Sequence, residues 1–436
     1  MSDVQNHNSS SIAQYLLSSS SHHQGVTMKI RNWKHTFALI WSGQAISILT
    51  SSVFGNAIIW YLTYRTGSAA ILSAAAFMNF LPRAIFGPFI GPIIDRFDRK
   101  RIMIVSDLLV SAVSMVMIIP VVFGDFPVWV VLLALGIRSI ATAFHEPSLQ
   151  AVTPTIVPEE ALVKCSGWSS SVQSASLIAG PAIAAFLYPV VGLPVFLVLD
   201  VVGAILAALF LLPIYIPGNK QHEETEEPIR EHSVKMFVKE IQAGFAILSE
   251  HKGIAVLVWI GFVFSLLYVP VSALFPLMTI SYMQGNTLHA GSIEVVFSAG
   301  MLIGGVVIGI IGIRKRIRAM ILALFGISLM LVVTGLLPPA GFPAFIATSF
   351  GIGFAAPFYS GSFMTLIQEK IPSKYLGRVL SLSGGLMSFA CPLGLILSGL
   401  FAEILGVTTW FWLTGLLVLL LLPFFNTKAV QSFKES

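Results

Sequence analysis

The sequence predicts an all-α membrane protein whose twelve transmembrane helices form two six-helix bundles. Three observations predict it. Apolar residues come in runs of about 20, the length that crosses a bilayer. Hydrophobic residues make up 56% of the 436 positions and charged ones only 10%, where a soluble domain carries about a quarter charged. The second half of the chain also repeats the first. One large soluble core would show its apolar residues in stripes or alternation rather than in blocks.

Taken in order, the runs place spans near 36–60, 69–94, 102–123, 127–148, 166–189 and 194–216, then 254–282, 292–313, 317–337, 341–364, 377–402 and 406–425. The expected domains are an extension over 1–27, a first bundle over 28–216, a linker over 217–253, a second bundle over 254–425 and a tail over 426–436. Residues 1–27 are rich in Ser and His and lack an apolar stretch of signal-peptide length, so they are expected to be disordered. In the linker, the charge run His222 to Glu227 is expected in solvent. Beyond it, Phe237, Ile241, Phe245 and Leu248 recur on one face of a helix lying on the membrane surface.

The net charge of +5 is distributed by topology. Of the 25 Lys and Arg, 22 fall in segments that alternation puts on one side, with only Arg65 opposite and Arg83 and Arg138 within spans. The positive-inside rule makes that side cytoplasmic and puts both termini there. Basicity of this kind is no nucleic-acid footprint. Two distant cysteines, Cys165 and Cys391, give no disulfide framework. The chain has no HExxH, no phosphate-binding glycine–lysine loop and no cluster of ligands. An enzyme, a metal centre or an ATP-driven pump therefore has no foothold, and no cofactor is expected beyond an ion gradient.

The internal repeat reads without gaps at an offset of 214. Gly91 maps to Gly305, Lys100-Arg101 to Arg314-Lys315, Phe144 to Phe358, Ser148 to Ser362, Pro158 to Pro372, Leu162 to Leu376 and Gly192 to Gly406. Parallel six-helix repeats hold the substrate site at their interface and give alternating access by rocking. The match fails at one informative place, where Gly309 stands opposite Asp95. An acidic latch then exists in one half only.

Several residues could carry transport. A guanidinium at mid-membrane costs several kcal/mol unless paired or hydrated, so Arg138 and Arg83 mark a cavity or a relay. Asp107, Glu146 and Asp200 are the candidate counter-ions, and spacing does not choose among them. Polar and aromatic residues on the expected cavity helices, Gln44, Asn56, Asn79, Trp259, Tyr268, Phe358 and Tyr359, suit a large amphiphile held by stacking and a few hydrogen bonds.

The basic segment Gly91 to Arg101, with Gly91, Asp95, Arg96, Arg99 and Lys100, resembles the signature loop between helices 2 and 3 of major facilitator transporters. The resemblance implies that Asp95 latches the cytoplasmic gate. Its expected seat is the start of helix 11, where Gly377 opens a helix, with Arg99 as partner. Ser176, Gly180, Pro181 and Ala184 in helix 5 resemble the antiporter signature of drug-export branches, with Ser and Ala for some of its glycines. Small residues four apart let helices approach, and Pro181 bends the helix.

Longer strings narrow the resemblance. Asn32-Trp33-Lys34, Ile40 to Ala45, Ile137 to His145, Val152 to Glu160, Pro357 to Gly361 and Gln368 to Val379 look like bacterial macrolide-efflux proteins. This implies a proton-driven exporter of amphiphilic small molecules, working as a monomer in the bilayer. The branch also includes siderophore and other metabolite exporters, and Arg83 and Arg138 would suit an anionic ligand. A cationic macrolide calls for a carboxylate in the cavity, and helices 1, 7 and 10 show none in their middles. Import and a non-transport sensor are the further alternatives.

Overall fold

The structure, a computed structural model, describes residues 32–122, 127–216, 242, 244–313 and 315–431. The first four helices are α1 (Trp33–Thr66), α2 (Ala69–Arg96), α3 (Arg99–Val122) and α4 (Val128–Ile156). The helical stretch Glu159–Leu211 is broken at Gly192, whose φ of 65° and ψ of 179° only glycine takes without strain. Its limbs, 159–191 and 193–211, are α5 and α6. Tyr188 and Phe196 stack across the break at 6.0 Å, where eight residues of unbroken helix would separate them by about 12 Å. The second half holds α7 (Lys252–Leu277), α8 (Thr287–Ile311), α9 (Arg316–Leu336), α10 (Phe342–Lys370), α11 (Ser373–Leu405) and α12 (Val407–Leu419). Among the described residues, 10 helical stretches are long and apolar enough to cross a membrane. One of these is the broken stretch, which crosses twice, and α2, 28 residues long, completes the twelve.

The repeat is structural. Displacing Val128–Ile156 by 214 residues gives Phe342–Lys370, the bounds of α10. Displacing 159–191 gives Ser373–Leu405, the bounds of α11. The corner Val157-Pro158 (φ, ψ of −97°, 133° and −60°, 149°) recurs at Ile371-Pro372 (−99°, 126° and −54°, 141°). Proline fixes φ and starts the next helix at the same place both times. Gly192 has its counterpart in Gly406, again at positive φ.

Small residues set the distances between helices. In the first half, Gly43 lets α1 close on Phe210 and Gly203 receives Thr50, both between α1 and α6. In the second half the contacts go to backbone: Gly300 and Gly304 of α8 abut the carbonyls of Phe350 and Phe354, and Gly394 of α11 abuts that of Leu266. The two halves meet on the face opposite the basic segments. Ser73 of α2 and Ser398 of α11 share a hydrogen bond of 3.0 Å. Glu403 near the end of α11 accepts from Ser68 Oγ and the Ala70 backbone at 3.0 Å each, so its carboxylate caps the start of α2. Gly291 of α8 lies against Ala185 and the Pro181 carbonyl of α5. Outward, α3 exposes Val105, Met115, Val116 and Ile119, and α8 exposes Val306, Ile310 and Ile311. Such an apolar girdle is far beyond the patches of soluble monomers and fits lipid.

Four expectations change in detail. The basic loop is mostly helix: α2 runs to Arg96, leaving only Phe97 and Asp98 as the turn before α3. Asp98 Oδ1 accepts from the backbones of Lys100 and Arg101 at 2.8 and 3.3 Å, capping α3. Gly377 does not open a helix, because Pro372 starts α11 at Ser373, so the free N–H groups there precede it. The second bundle begins at Lys252, two residues early. Phe237 and Ile241 of the surface helix lie outside the described residues, as do 1–27; of the rest, Leu248 is buried and Phe245 exposed.

Candidate functional site

The centre of the first half is an ion pair. Arg138 of α4 and Asp200 of α6 meet with Nη1–Oδ2 at 2.5 Å and Nη2–Oδ1 at 3.1 Å, the side-by-side geometry that guanidinium and carboxylate prefer. Asp200, fully buried, also accepts from Ser51 Oγ of α1 at 2.8 Å and Ser114 Oγ of α3 at 2.6 Å. Four donors on two oxygens fill its acceptor capacity. Arg138 donates further to Ser114 at 2.6 Å, and its Cζ lies 4.4 Å from the centre of the Phe54 ring. The pair therefore ties four helices together. Each ion would cost several kcal/mol alone, and the bonds offset that cost only while all are made.

Toward the basic face, a second polar group surrounds Asp107 of α3. Gln44 of α1, completely buried, points Nε2 at Oδ2 from 3.4 Å. His145 of α4 holds Nε2 3.5 Å from Oδ1 without hydrogen-bond geometry. Both groups open on a cavity of about 950 Å³, at the upper end for small-molecule sites. Its described lining comes wholly from α1 to α5: Asn79, Arg138, Glu146 and a polar wall of Ser166, Ser169, Ser170, Gln173 and Ser176 on α5 are among it.

The helix 5 motif packs in two directions. A methyl on Gly180 would sit 2.1 Å from Ser52 Oγ of α1, and Ser52 donates to the Ser176 carbonyl at 3.0 Å. On the other side, Pro181 and Ala185 meet Gly291 of α8 in the second half, while Ala184 is fully buried. One strip thus serves both the interior of its own bundle and the seam between bundles.

At the basic end, Lys100 Nζ donates to the carbonyls of Leu212 and Ile214 at 2.8 and 2.7 Å, holding the end of α6. Arg99 Nη1 donates to the Ala151 carbonyl at 3.2 Å. The side chains of Asp95 and Arg96, with Arg83 of α2 and Gly91, lie outside the described residues.

The second half offers rings rather than charges. Phe264 stands 5.0 Å from Tyr268 and 4.9 Å from Tyr359, which stacks on Phe363 at 6.3 Å. The hydroxyls of Tyr268 and Tyr359 are buried without hydrogen bonds among the described residues. Phe358 packs on Phe354. Of the seven expected cavity residues only Gln44 and Asn79 are in the described lining; Tyr268, Phe358 and Tyr359 belong to these second-half rings, and the other two sit elsewhere. Trp259 is exposed on α7 and packs against Phe424 at 4.9 Å, because its helical face points outward. Asn56 spends its amide on the Ser52 carbonyl of its own helix at 2.9 Å.

Sequence reasoning missed five residues. Ser51 and Ser114 carry no signal beyond being polar in apolar runs. His145 was visible as a histidine at depth. Glu294 stands third in the expected span 292–313, at its end, and only the earlier start of α8 at Thr287 carries it inside the helix. Glu403 lies at a span end, where acids are common.

Comparison with known proteins places this arrangement. The family model described as Major Facilitator Superfamily matches residues 40–390 and again 271–434. Macrolide efflux protein A of Streptococcus pyogenes is 45% identical over 392 residues, covering 90% of this chain and 95% of that protein. The protein of the same name from Enterococcus faecalis is 44% identical over 330 residues, 76% of this chain and 100% of that one. The Multidrug efflux pump Tap of Mycolicibacterium fortuitum is 26% identical over 377 residues, 83% and 88% of the two chains. Among solved structures, the nucleoside transporter NupG and a bacterial homologue of the iron transporter ferroportin each reach a TM-score of 0.67. They are 12% and 14% identical and cover 89% and 90% of this chain, each with 99% of its own length covered; this likeness speaks for the fold alone. With its twelve helices, its repeat and its efflux-protein relatives, the chain is a multi-pass membrane transporter and belongs to the major facilitator superfamily.

Proposed function

We propose that the chain is a proton-driven antiporter that exports macrolides or similar amphiphiles from a bacterial cytoplasm or inner leaflet. The observation that carries this reading is Arg138 on the wall of a drug-sized cavity with Asp200 paired to it from behind, in a chain 45% identical to a macrolide efflux protein. A proton taken up by Asp200 removes the charge that holds Arg138. The guanidinium then turns to Ser114 or to cavity water, and the ties from α4 and α6 to α1 and α3 loosen. Rocking of one half on the other, about the seam of Gly291 with Pro181 and Ala185, carries the site between faces. Arg138 and Asp200 are the proton-coupling residues in this scheme, with Asp95 at the end of α2 as the cytoplasmic latch.

The distribution of 22 of 25 basic residues supports cytoplasmic termini and a cytoplasmic linker. A cysteine placed at Pro339 should then react with an impermeant reagent from outside, and one at Gly218 only after lysis. A single copy suffices, since one chain supplies both halves and the cavity. Siderophore export finds less support, because Arg138, which would bind an anion, is taken by Asp200.

Expression in a pump-deficient bacterium tests the reading. Cells should accumulate less labelled erythromycin, and a protonophore should restore accumulation to the level of cells without the gene. Unchanged erythromycin with altered secretion of an iron chelator would move the chain to the metabolite exporters.

A further inference from the structure

Two carboxylates of the first half differ in how far their acceptor capacity is used. Asp200 takes four donors and has an arginine as its counter-ion. Asp107 has about the same capacity, yet among the described residues it receives one long bond from Gln44, at 3.4 Å, and the off-axis approach of His145. Its side chain is 7% exposed. A buried carboxylate this poorly supplied with donors is costly unless something else comes to it.

The groups around it are short of the same thing. Gln44 Oε1 and His145 Nε2 are buried without hydrogen-bond partners. Both can accept, His145 in its neutral form. The Asp107 carboxylate, Gln44 Oε1 and His145 Nε2 thus lie on side chains that touch one another, all three short of donors, and together they call for a cationic donor. An anionic or purely apolar ligand leaves all three unsatisfied.

We propose that Asp107, with Gln44 and His145, is the site that receives the protonated amine of the exported molecule; this rests on the drug-export reading above and names the substrate class within it. The carboxylate that α1, α7 and α10 lack is supplied by α3. The hydroxyl wall of α5, from Ser166 to Ser176, faces the same space and suits the polar edges of a large amphiphile.

The other charged groups facing this point are Glu146 on α4 and the self-neutralised Arg138–Asp200 pair two turns deeper. From α1 and α5 the described lining is uncharged, and the Arg83 side chain of α2 lies outside the described residues.

The test is equilibrium binding of radiolabelled erythromycin, a tertiary amine, to the purified full-length protein. Its neutral N-desmethyl-N-acetyl derivative serves as the comparison. Asp107→Asn should weaken erythromycin binding by at least about tenfold and leave the neutral derivative's affinity within about twofold. Asp107→Glu should restore much of the preference, which keeps the test informative if the Asn variant folds poorly. Equal loss of both ligands in Asp107→Asn, or an amine preference that survives in it, would overturn the proposal. If the wild type binds neither macrolide, the macrolide reading fails by itself. Protonated N,N-dimethyldodecylamine against neutral N,N-dimethyldodecanamide then decides the ammonium site: no Asp107-dependent preference for the amine overturns it.

Discussion

The first and second bundles have helices of matching bounds and corners of matching dihedrals, yet different interiors. In the first, polar side chains reach across helices: Arg138, Asp200, Ser51 and Ser114 form one group, and Asp107, Gln44 and His145 another. In the second, glycines bring backbone against backbone at Gly300, Gly304 and Gly394, and aromatic rings fill the middle around Phe264. A duplicated fold thus divides its labour. One copy holds buried charge, which the proposed coupling would remake in another arrangement; the other is packed backbone against backbone around rings.

The largest effect should follow from breaking the charged interior. Asp200→Ala strands a buried guanidinium and should cost about 3–5 kcal/mol, seen as loss of folded protein or a large drop in melting temperature. The double variant Arg138→Leu with Asp200→Leu should recover much of that stability and none of the transport. If Asp200→Ala alone melts like the wild type, the pair does not hold the bundle.

The packed interior should answer to volume instead. Val at Gly394 drives a side chain into the Leu266 carbonyl, which a Cβ alone already meets at 2.0 Å. It should cost about 1–3 kcal/mol. Gly309 has open space around its missing Cβ, so Gly309→Ala should leave the melting temperature unchanged or raise it slightly. Equal losses at both positions would mean that close packing is not what the second half depends on.

Between the halves, Glu403→Gln keeps the shape but removes the charge at the start of α2. About 1 kcal/mol of closure should go with it, a factor of about five in the open population. A cysteine at Ser398 should then label correspondingly faster. An unchanged rate would reduce this contact to a surface ornament. Smallest of all is Glu294→Gln: with no described partner to lose, it should cost no stability and, by taking a carboxyl out of a buried place, raise it if anything by up to about 1 kcal/mol. A loss would show that the second half has an ionic tie after all.

Much of this was legible in the chain. Span length and the offset of 214 gave the twelve helices and their pairing, because bilayer thickness and gene-level duplication both write directly into sequence. Arg138 was legible as a charge at depth. Its partner was not, since depths counted along the expected spans do not choose among Asp107, Glu146 and Asp200, and only the folded bundle, with Arg138 reaching across to α6, selects Asp200. The same limit hid the placement of Trp259: an aromatic on an apolar helix reads the same whether it faces cavity or lipid. Ser51 and Ser114 were hidden for a related reason, because a hydroxyl in a membrane helix usually bonds its own backbone, as Thr63 and Ser328 do here.

The central claim is that the exchangeable ion pair of the first half couples export to protons. It is tested most directly in inside-out vesicles, by erythromycin accumulation under an imposed pH gradient with and without a protonophore. Wild-type protein should accumulate the drug only while the gradient lasts. Arg138→Ala and Arg138→Lys should still bind it yet lose gradient-driven accumulation, because lysine keeps the charge and loses the planar fork. An Arg138→Ala protein that accumulates erythromycin with undiminished dependence on the gradient would contradict the account.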